Sequence, residues 1–372
     1  MADSISKTTG FRAFLAFAFS ALVASCAGLP IQSLPDIPEL KNQPTHDIPD
    51  VDLLAVSPDM KDFIDRHAYE GGSSTPNAWT LAYAVMSPHS LRFEYDPQTT
   101  LPADRAFRKG KGNCLTFSAM MIAMAREAGL EANFQEVEIQ PEWTNVNDTM
   151  LVSKHVNATV HQKFLEYTID VSRRKNRTDD RTRKMSDTEA LAQFYNNLGA
   201  EALIEANNAL AYAYFRKALE LDRRLDYIWS NIGVILRRNG QTDEAVLAYR
   251  TALQLEPDQA VALNNLYVIF SEDGDLEAAA AMQPRVERNQ RKNPWYVQFL
   301  AESAIEDQRY REAVSLAKRA VRMDRDEYRF HYTLARSQHF AGNDRLALES
   351  LERARKLAPT SGERDSLTLP GG

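Results

Sequence analysis

The sequence KGKGNCLTFSAMMIAMAREAGL spans residues 109–130 and places a single cysteine at the start of a long apolar run. The run holds only two charged residues, and both lie in its last turn. A helix that is apolar on nearly every side belongs in the interior of a domain. Gly129 follows the run as a natural helix stop. The stretch therefore predicts a buried helix with Cys114 at its amino-terminal end.

The position of Cys114 makes it a candidate nucleophile. Gly112 and Asn113 suit a tight turn and an N-terminal cap, which would place the cysteine where unpaired backbone N–H groups and the helix dipole favour an anion. Such an environment lowers the pKa of a thiol and makes a thiolate available. The alternative is a structural cysteine that packs as a small hydrophobic residue.

Two alternating segments downstream supply the partners that a thiolate nucleophile needs. Residues 154–161 (KHVNATVH) and 164–171 (FLEYTIDV) each alternate polar and apolar side chains, which predicts an antiparallel hairpin through Gln162-Lys163 or a four-residue loop. That register sets His155 opposite Asp170, with Cβ atoms roughly 4.5–5.5 Å apart. His161 lies on the same face and is an alternative base.

These motifs resemble the transglutaminase-like superfamily over about residues 52–175. The shared features are Gly112-Asn113-Cys114 before an apolar helix, then a strand with histidine and a strand with aspartate. The combination of such a domain with helical repeats is similar to the SirB-type subgroup and to bacterial transglutaminase-like cysteine peptidases. The resemblance implies an α+β, papain-like fold. It assigns Cys114 as nucleophile, His155 as general base and acid, and Asp170 as the orienting group.

The chain departs from the family pattern beside each of these three residues. Asn113 replaces the common acidic residue before the cysteine, Val156 follows the histidine, and Val171-Ser172 follow the aspartate. These departures leave the substrate class open.

A 34-residue period runs through the second half of the chain. Alanine recurs at five positions in this register: Ala211, Ala245, Ala279, Ala313 and Ala347. The pattern resembles the tetratricopeptide repeat, and it implies five repeats over residues 191–360 that form an all-α superhelix. Such arrays present a concave surface, so the expected partner is a protein or peptide. The third repeat departs from the pattern at Tyr267 and Gln283, which indicates looser packing or, alternatively, an irregularity that faces a ligand.

Segments without apolar rhythm flank the repeats. Residues 176–190 are predicted to be a linker. It overlaps a charged stretch over residues 173–184, which is interpreted as a solvated connector or, alternatively, a basic docking patch. Residues 361–372 are predicted to be a tail.

The amino-terminal region indicates export. Residues 13–24 form an apolar core of signal-peptide length, too short for a transmembrane helix. The segment ends in Val-Ala-Ser-Cys, which resembles a bacterial lipobox. Residues 1–25 are therefore predicted to be removed, and Cys26 is predicted to carry the lipid. The alternative is an ordinary signal peptide. Residues 26–51, rich in proline, are predicted to be a flexible tether from the membrane. The implied location is the bacterial envelope, at the outer membrane facing the periplasm.

Composition limits the other classes of function. The 372 residues carry a net charge of −7, which gives no reason to expect nucleic acid as a partner. No cofactor motif is present. A zinc site built from Cys114, His155, His161 and Asp170 is conceivable, but the chain lacks the closely spaced ligand pairs of ordinary zinc sites.

Two functions remain from the sequence alone. The first is a lipid-anchored enzyme with thiol-mediated acyl transfer, as a peptidase, an amidase or a transglutaminase-like acyltransferase, whose repeats present the protein substrate. The second is a catalytically idle domain that serves the repeats as a scaffold or adaptor.

Overall fold

The computed structural model describes residues 34–69, 75–146, 149–171, 181–358 and 361–369. The predicted signal peptide, Cys26 and most of the charged connector lie outside these residues. The first unit contains four helices and six strands: α1 (Pro58–His67), α2 (Ala78–Met86), β1 (Glu94–Tyr95), α3 (Ala103–Lys109), β2 (Lys111–Gly112), α4 (Cys114–Glu127), β3 (Glu131–Val146), β4 (Thr149–Gln162), β5 (Leu165–Ile169) and β6 (Arg181–Met185).

The predicted buried helix is confirmed as α4. Every residue from Leu115 to Ala125 is buried, because the apolar run leaves no polar face for solvent. The helix ends before Gly129, whose φ of +85° is a left-handed conformation that favours glycine. Helix α4 packs against strands β3 and β4, and the hydroxyl of Ser118, near the start of the helix, donates to the Val156 carbonyl of β4 at 3.2 Å.

The main sheet has the strand order β5-β4-β3-β6, and all its pairs are antiparallel. The predicted hairpin corresponds to β4 and β5, but its register differs by two residues. Ala158 pairs with Ile169, and the two turn residues are Lys163 and Phe164. The difference arises because Lys163 adopts a φ of +58°, which permits a tight two-residue turn at that position. His155 consequently does not lie directly opposite Asp170.

Part of the predicted linker is regular structure. Strand β6 forms the edge of the sheet beside β3, and its charged residues suit an edge strand because charge opposes pairing with another chain. Arg183 of this strand bonds Glu136 at 2.5 Å and Glu189 at 2.7 Å. A capping box between Ser186 and Glu189 then starts the next helix, so no solvated connector separates residues 181 and 190.

Ten helices follow in five antiparallel pairs: α5 (Asp187–Ile204) with α6 (Asn208–Leu221), α7 (Asp226–Arg238) with α8 (Thr242–Leu255), α9 (Ala260–Glu272) with α10 (Leu276–Lys292), α11 (Pro294–Glu306) with α12 (Tyr310–Met323), and α13 (Tyr328–Phe340) with α14 (Asp344–Leu357). A short helix, α15 (Ser361–Ser366), lies in the predicted tail.

The period reflects close helix contacts. A Cβ on Gly199 would lie 2.5 Å from the Phe215 ring, and one on Gly233 would lie 2.6 Å from the Tyr249 ring. In the third pair this contact is absent, since Gln283 at the aromatic position is exposed.

The first unit and the first repeats share one hydrophobic core. A single cluster of buried residues includes Phe134 and Met185 of the sheet together with Phe194, Phe215 and Trp229 of the repeats. The fourth and fifth pairs form smaller, separate clusters. Among the residues that the structure describes, no helix has the length and apolar character needed to cross a bilayer.

Residues 35–51, here called the N-terminal strap, lie along the first two repeats. This segment is part of the predicted flexible tether, yet its backbone is bound at several points. The hydroxyl of Tyr212 donates to the Pro38 carbonyl at 2.6 Å, the Gln241 amide donates to the Glu39 carbonyl at 2.9 Å, and Tyr195 donates to the Pro49 carbonyl at 2.9 Å. Proline favours an extended backbone without internal hydrogen bonds, so the carbonyls of this segment are available to side-chain donors.

Candidate active site

Cys114 is the first residue of α4 and is a partly exposed free thiol. The predicted cap is confirmed, because the Asn113 Oδ1 accepts a hydrogen bond from the Thr116 N–H at 2.9 Å. The sulfur therefore sits where backbone N–H groups at the helix start have no partner within the helix, and it is reachable from solvent.

Gly112 is required by a close approach. A Cβ at this position would lie 2.2 Å from Cγ2 of Thr116, which is fully buried. The Thr116 hydroxyl oxygen accepts a hydrogen bond from the Leu101 N–H at 2.9 Å, so the threonine is held on the other side. The Gly-x-Cys spacing thus follows from how tightly the turn before α4 folds onto the helix.

His155 and Asp170 are brought together despite the shifted register. The distance from His155 Nε2 to Asp170 Oδ2 is 2.6 Å, and both side chains are nearly buried. A shift of two residues keeps both side chains on one face of the hairpin, where diagonal neighbours remain within reach of long side chains. A β-bulge in strand β3 begins just beyond the pair formed by His155 and Val137, and bulges of this kind redirect neighbouring side chains.

The Cys114 side chain also influences the pKa of the His155 imidazole. Burial by itself would lower the pKa of the ring, but the hydrogen bonds to Asp170 and Cys114 and the attraction of these two partners outweigh it and raise the pKa from 6.5 to about 10. Because Nε2 is engaged by Asp170, Nδ1 is the ring nitrogen left for any other partner. The structure therefore joins the imidazole to the carboxylate directly, with the Cys114 thiol close enough to favour the protonated ring.

The alternative base, His161, has another partner. Its Nε2 lies 2.6 Å from Glu166 Oε2, and both side chains are more than 40% exposed. Among the described residues, no group of three or more histidine, cysteine, aspartate or glutamate side chains has an arrangement suited to a metal ion. His161 and Glu166 form a directly opposed surface pair, six residues beyond His155 on β4 and four residues before Asp170.

Sequence reasoning did not identify the support behind Asn113. The Asn113 Nδ2 donates to Thr100 Oγ1 at 2.8 Å, and the Thr100 hydroxyl donates to Glu201 Oε1 at 2.5 Å. Glu201 belongs to α5 and is far from Asn113 in the chain, so no local pattern could have indicated this contact.

Comparisons with known families agree with this architecture. Residues 68–168 match the family model described as transglutaminase-like superfamily. Residues 192–224 and 227–259 each match a model described as tetratricopeptide repeat. The chain carries a transglutaminase-like domain followed by tetratricopeptide repeats.

Similarity to curated proteins covers a smaller part of the chain. Photosystem I assembly protein Ycf3 of Cyanophora paradoxa is 34% identical over 104 residues, which is 25% of this chain and 59% of that protein. Ycf3 of Acaryochloris marina is 32% identical over 97 residues, which is 25% of this chain and 58% of that protein. The chain therefore spans less than two thirds of the length of these relatives.

Several solved structures are similar to parts of the chain. The structure described as functional characterization of Pseudomonas aeruginosa pilF has 17% identity and a TM-score of 0.33, over 48% of this chain and 82% of that one. YrrB, described as a TPR protein with an unusual peptide-binding site, has 20% identity and a TM-score of 0.26. The match covers 46% of this chain and 89% of that one. The structure of MamA from residue 41 to the end, from Desulfovibrio magneticus RS-1, has 17% identity and a TM-score of 0.27. The match covers 50% of this chain and 99% of that one.

Proposed function

We propose that the protein catalyses thiol-dependent acyl transfer, with Cys114 as nucleophile, His155 as general base and acid, and Asp170 as the group that orients the imidazole. The observation that carries this proposal is the 2.6 Å contact between the His155 imidazole and the Asp170 carboxylate, together with the influence of the Cys114 thiol on the same ring. Nucleophile, base and orienting group in this order form the arrangement that activates a weak nucleophile.

The reaction begins with the Cys114 proton on His155. The sulfur attacks the carbonyl carbon of an amide, and the resulting oxyanion is stabilised by the backbone N–H of Cys114 at the helix start. The imidazolium then donates its proton to the leaving amine as the C–N bond breaks, which produces an acyl thioester. A water molecule then transfers a proton to His155 while its oxygen attacks the acyl carbon. The C–S bond breaks, and the Cys114 sulfur is released. Asp170 holds the ring in the required orientation throughout.

Hydrolysis of a peptide or isopeptide bond is the proposed outcome. Water outcompetes an amine acceptor at a partly exposed thiol, because bulk water is far more concentrated. The repeats would bind the protein that carries the scissile bond, since tetratricopeptide repeats bind proteins and peptides. A transglutaminase-like reaction would follow if a lysine amine replaced the water.

A lipid anchor at Cys26 is part of this proposal. It would hold the protein at the outer membrane, with the site in the periplasm. Metabolic labelling with an alkyne fatty acid tests it: wild type and Cys114→Ala should take up label, and Cys26→Ala should not. Equal labelling of the Cys26→Ala variant would overturn the anchor.

Capture of the acyl thioester tests the proposed chemistry. The full chain is incubated with a tryptic digest of envelope proteins, quenched in acid, and examined by mass spectrometry of the peptide that contains Cys114. We expect an acyl adduct that hydroxylamine removes, and no adduct in Cys114→Ala. Absence of any adduct from wild type under conditions where Cys114 is intact would contradict the proposal.

An idle scaffold is the competing function, and the departures at Asn113 and Val156 favour it. Partner capture with Cys114→Ala and wild type separates the two. Catalysis predicts that the variant retains substrates that wild type releases, whereas a scaffold predicts identical partner sets.

A further inference from the structure

A hydrogen-bonded chain joins the first repeat to the residue before Cys114. The Thr100 hydroxyl donates to Glu201 Oε1 at 2.5 Å, and the Thr100 Oγ1 accepts from the Asn113 Nδ2 at 2.8 Å. The Asn113 Oδ1 in turn accepts from the Thr116 N–H at 2.9 Å. Each link is direct, so Glu201 is connected without a gap to the cap of the thiol-bearing helix.

The chain has a fixed direction of donors and acceptors. Thr100 has a single hydroxyl proton, and because Glu201 accepts it, the oxygen must present a lone pair toward Asn113. That lone pair holds the NH₂ group of Asn113, which leaves its oxygen for the Thr116 N–H. Thr100 and Asn113 are 5% and 6% exposed, so water cannot readily replace a lost partner.

Glu201 is partly shielded from water at this contact. Burial raises the pKa of the Glu201 carboxyl, while the hydrogen bond from Thr100 acts in the opposite direction. A carboxyl removed from water is costly unless a donor meets it, and the Thr100 hydroxyl is such a donor. Glu205, four residues later on the same helix, is exposed and serves as a matched comparison.

We propose that Glu201, carried by the first repeat, is a positioning residue for the thiol: through Thr100 and Asn113 it fixes the start of α4, and with it the sulfur of Cys114. This inference rests on the proposed thiol chemistry. It means that the repeat array contributes to the site as well as binding a partner.

The rate of Cys114 alkylation tests the positioning role. The full chain is treated with iodoacetamide at neutral pH, and the second-order rate constant is measured by mass spectrometry on the tryptic peptide 112–126, which contains one cysteine. Glu201→Leu and Thr100→Val should react roughly tenfold more slowly than wild type, the effect of losing one buried hydrogen bond. Glu201→Gln and Thr100→Ser keep an acceptor and a hydroxyl respectively, and should stay within about twofold of wild type. Glu205→Gln is the control and should be unchanged.

Thermal unfolding of each variant separates positioning from general damage. A purely structural role would lower stability without the recovery of reactivity in the conservative variants. The positioning role is overturned if folded Glu201→Leu reacts at the wild-type rate, or if Glu201→Gln is as slow as Glu201→Leu. If Glu201→Leu does not fold, the Thr100 pair decides in the same way. Failure of the thiol chemistry gives a different result, in which wild-type Cys114 itself reacts no faster than an ordinary exposed thiol.

Discussion

The His155 ring lies between two groups that favour its protonated form. Asp170 accepts from Nε2 at 2.6 Å, and Cys114 also favours the charged ring. A histidine in this setting can stabilise a negative sulfur and can later protonate a leaving amine. The pair of His161 and Glu166 also joins a histidine to a carboxylate, which provides an internal control for each substitution.

Loss of the carboxylate should impair catalysis while the fold persists. In Asp170→Asn the amide can donate to the ring and stabilise the wrong tautomer, so we expect thioester formation to fall by about 10²-fold or more. The measurement is the rate of adduct formation at Cys114. Glu166→Gln, which alters the exposed pair, should leave the rate unchanged. An Asp170→Asn rate within twofold of wild type would remove the orienting role.

The raised pKa of His155 should make stability depend on pH. Because the pKa is higher in the folded protein (about 10) than in the unfolded chain (6.5), the contribution is fully present below pH 6.5 and is lost as the pH rises toward 10. Urea unfolding of wild type and His155→Gln should therefore show the largest difference in the free energy of unfolding near pH 6 and the smallest near pH 10. His161→Gln should show no such trend. A difference that grows with pH would contradict the assignment.

At the scale of elements, the start of α4 depends on the absence of a side chain at Gly112. In Gly112→Ala the new methyl would meet Thr116 Cγ2 at 2.2 Å, so we expect a loss of about 1–3 kcal/mol in the free energy of unfolding and slower alkylation of Cys114. Adding Thr116→Ser removes that methyl and keeps the hydroxyl that binds Leu101, and it should restore part of both losses. Gly362→Ala, where a Cβ meets open space, is the control. Full tolerance of Gly112→Ala would show that the turn can move.

The sequence predicted these elements better than their register. The apolar run identified α4, and alternation correctly placed His155 and Asp170 on one face of a hairpin. Alternation repeats every two residues, so it cannot distinguish registers that differ by two. The observed register follows from the left-handed conformation of Lys163 at the turn. A lysine residue gives no reason to expect that conformation. The strand β6 was missed because its charges face solvent and ion partners instead of a core.

At the scale of the whole molecule, long-range contacts join parts that the sequence presents as separate. The N-terminal strap contacts repeat residues that lie about 145 to 200 positions later in the sequence. Glu201 contacts Thr100 across a sequence separation of 101 residues. The 34-residue period identifies each repeat, but it contains no information on which other segment of the chain packs against that repeat. For this reason the tether and the linker were predicted from composition alone.

Hydrogen exchange tests the attachment of the strap. Tyr195 donates to the Pro49 carbonyl and accepts from the Val51 N–H at 3.0 Å, so Tyr195→Phe removes both contacts. We expect deuterium uptake around residues 48–53 to become faster while uptake in the repeats is unchanged. Tyr214→Phe, on the neighbouring helix, is the control. Unchanged uptake in Tyr195→Phe would show that these hydrogen bonds do not hold the strap.

The shared core predicts joint unfolding of the first unit and the first repeats. A chain cut after residue 185 would expose the faces of Phe134 and Met185 that pack in the common cluster, whereas a chain cut after residue 275 keeps that cluster. We expect the shorter chain to be insoluble or partly unfolded and the longer one to unfold in a single transition, as followed by circular dichroism. A stable, cooperative shorter chain would contradict the shared core.

The most direct measurement for the proposed site compares the alkylation rate of Cys114 in wild type, His155→Gln and His161→Gln. At pH 7, the second-order rate constant for iodoacetamide on peptide 112–126 should fall by roughly tenfold or more in His155→Gln, because the sulfur loses its proton acceptor and its cationic partner. It should remain at the wild-type value in His161→Gln. Equal rates in all three proteins would mean that the imidazole does not act on the thiol, and the acyl-transfer proposal would be withdrawn in favour of the scaffold.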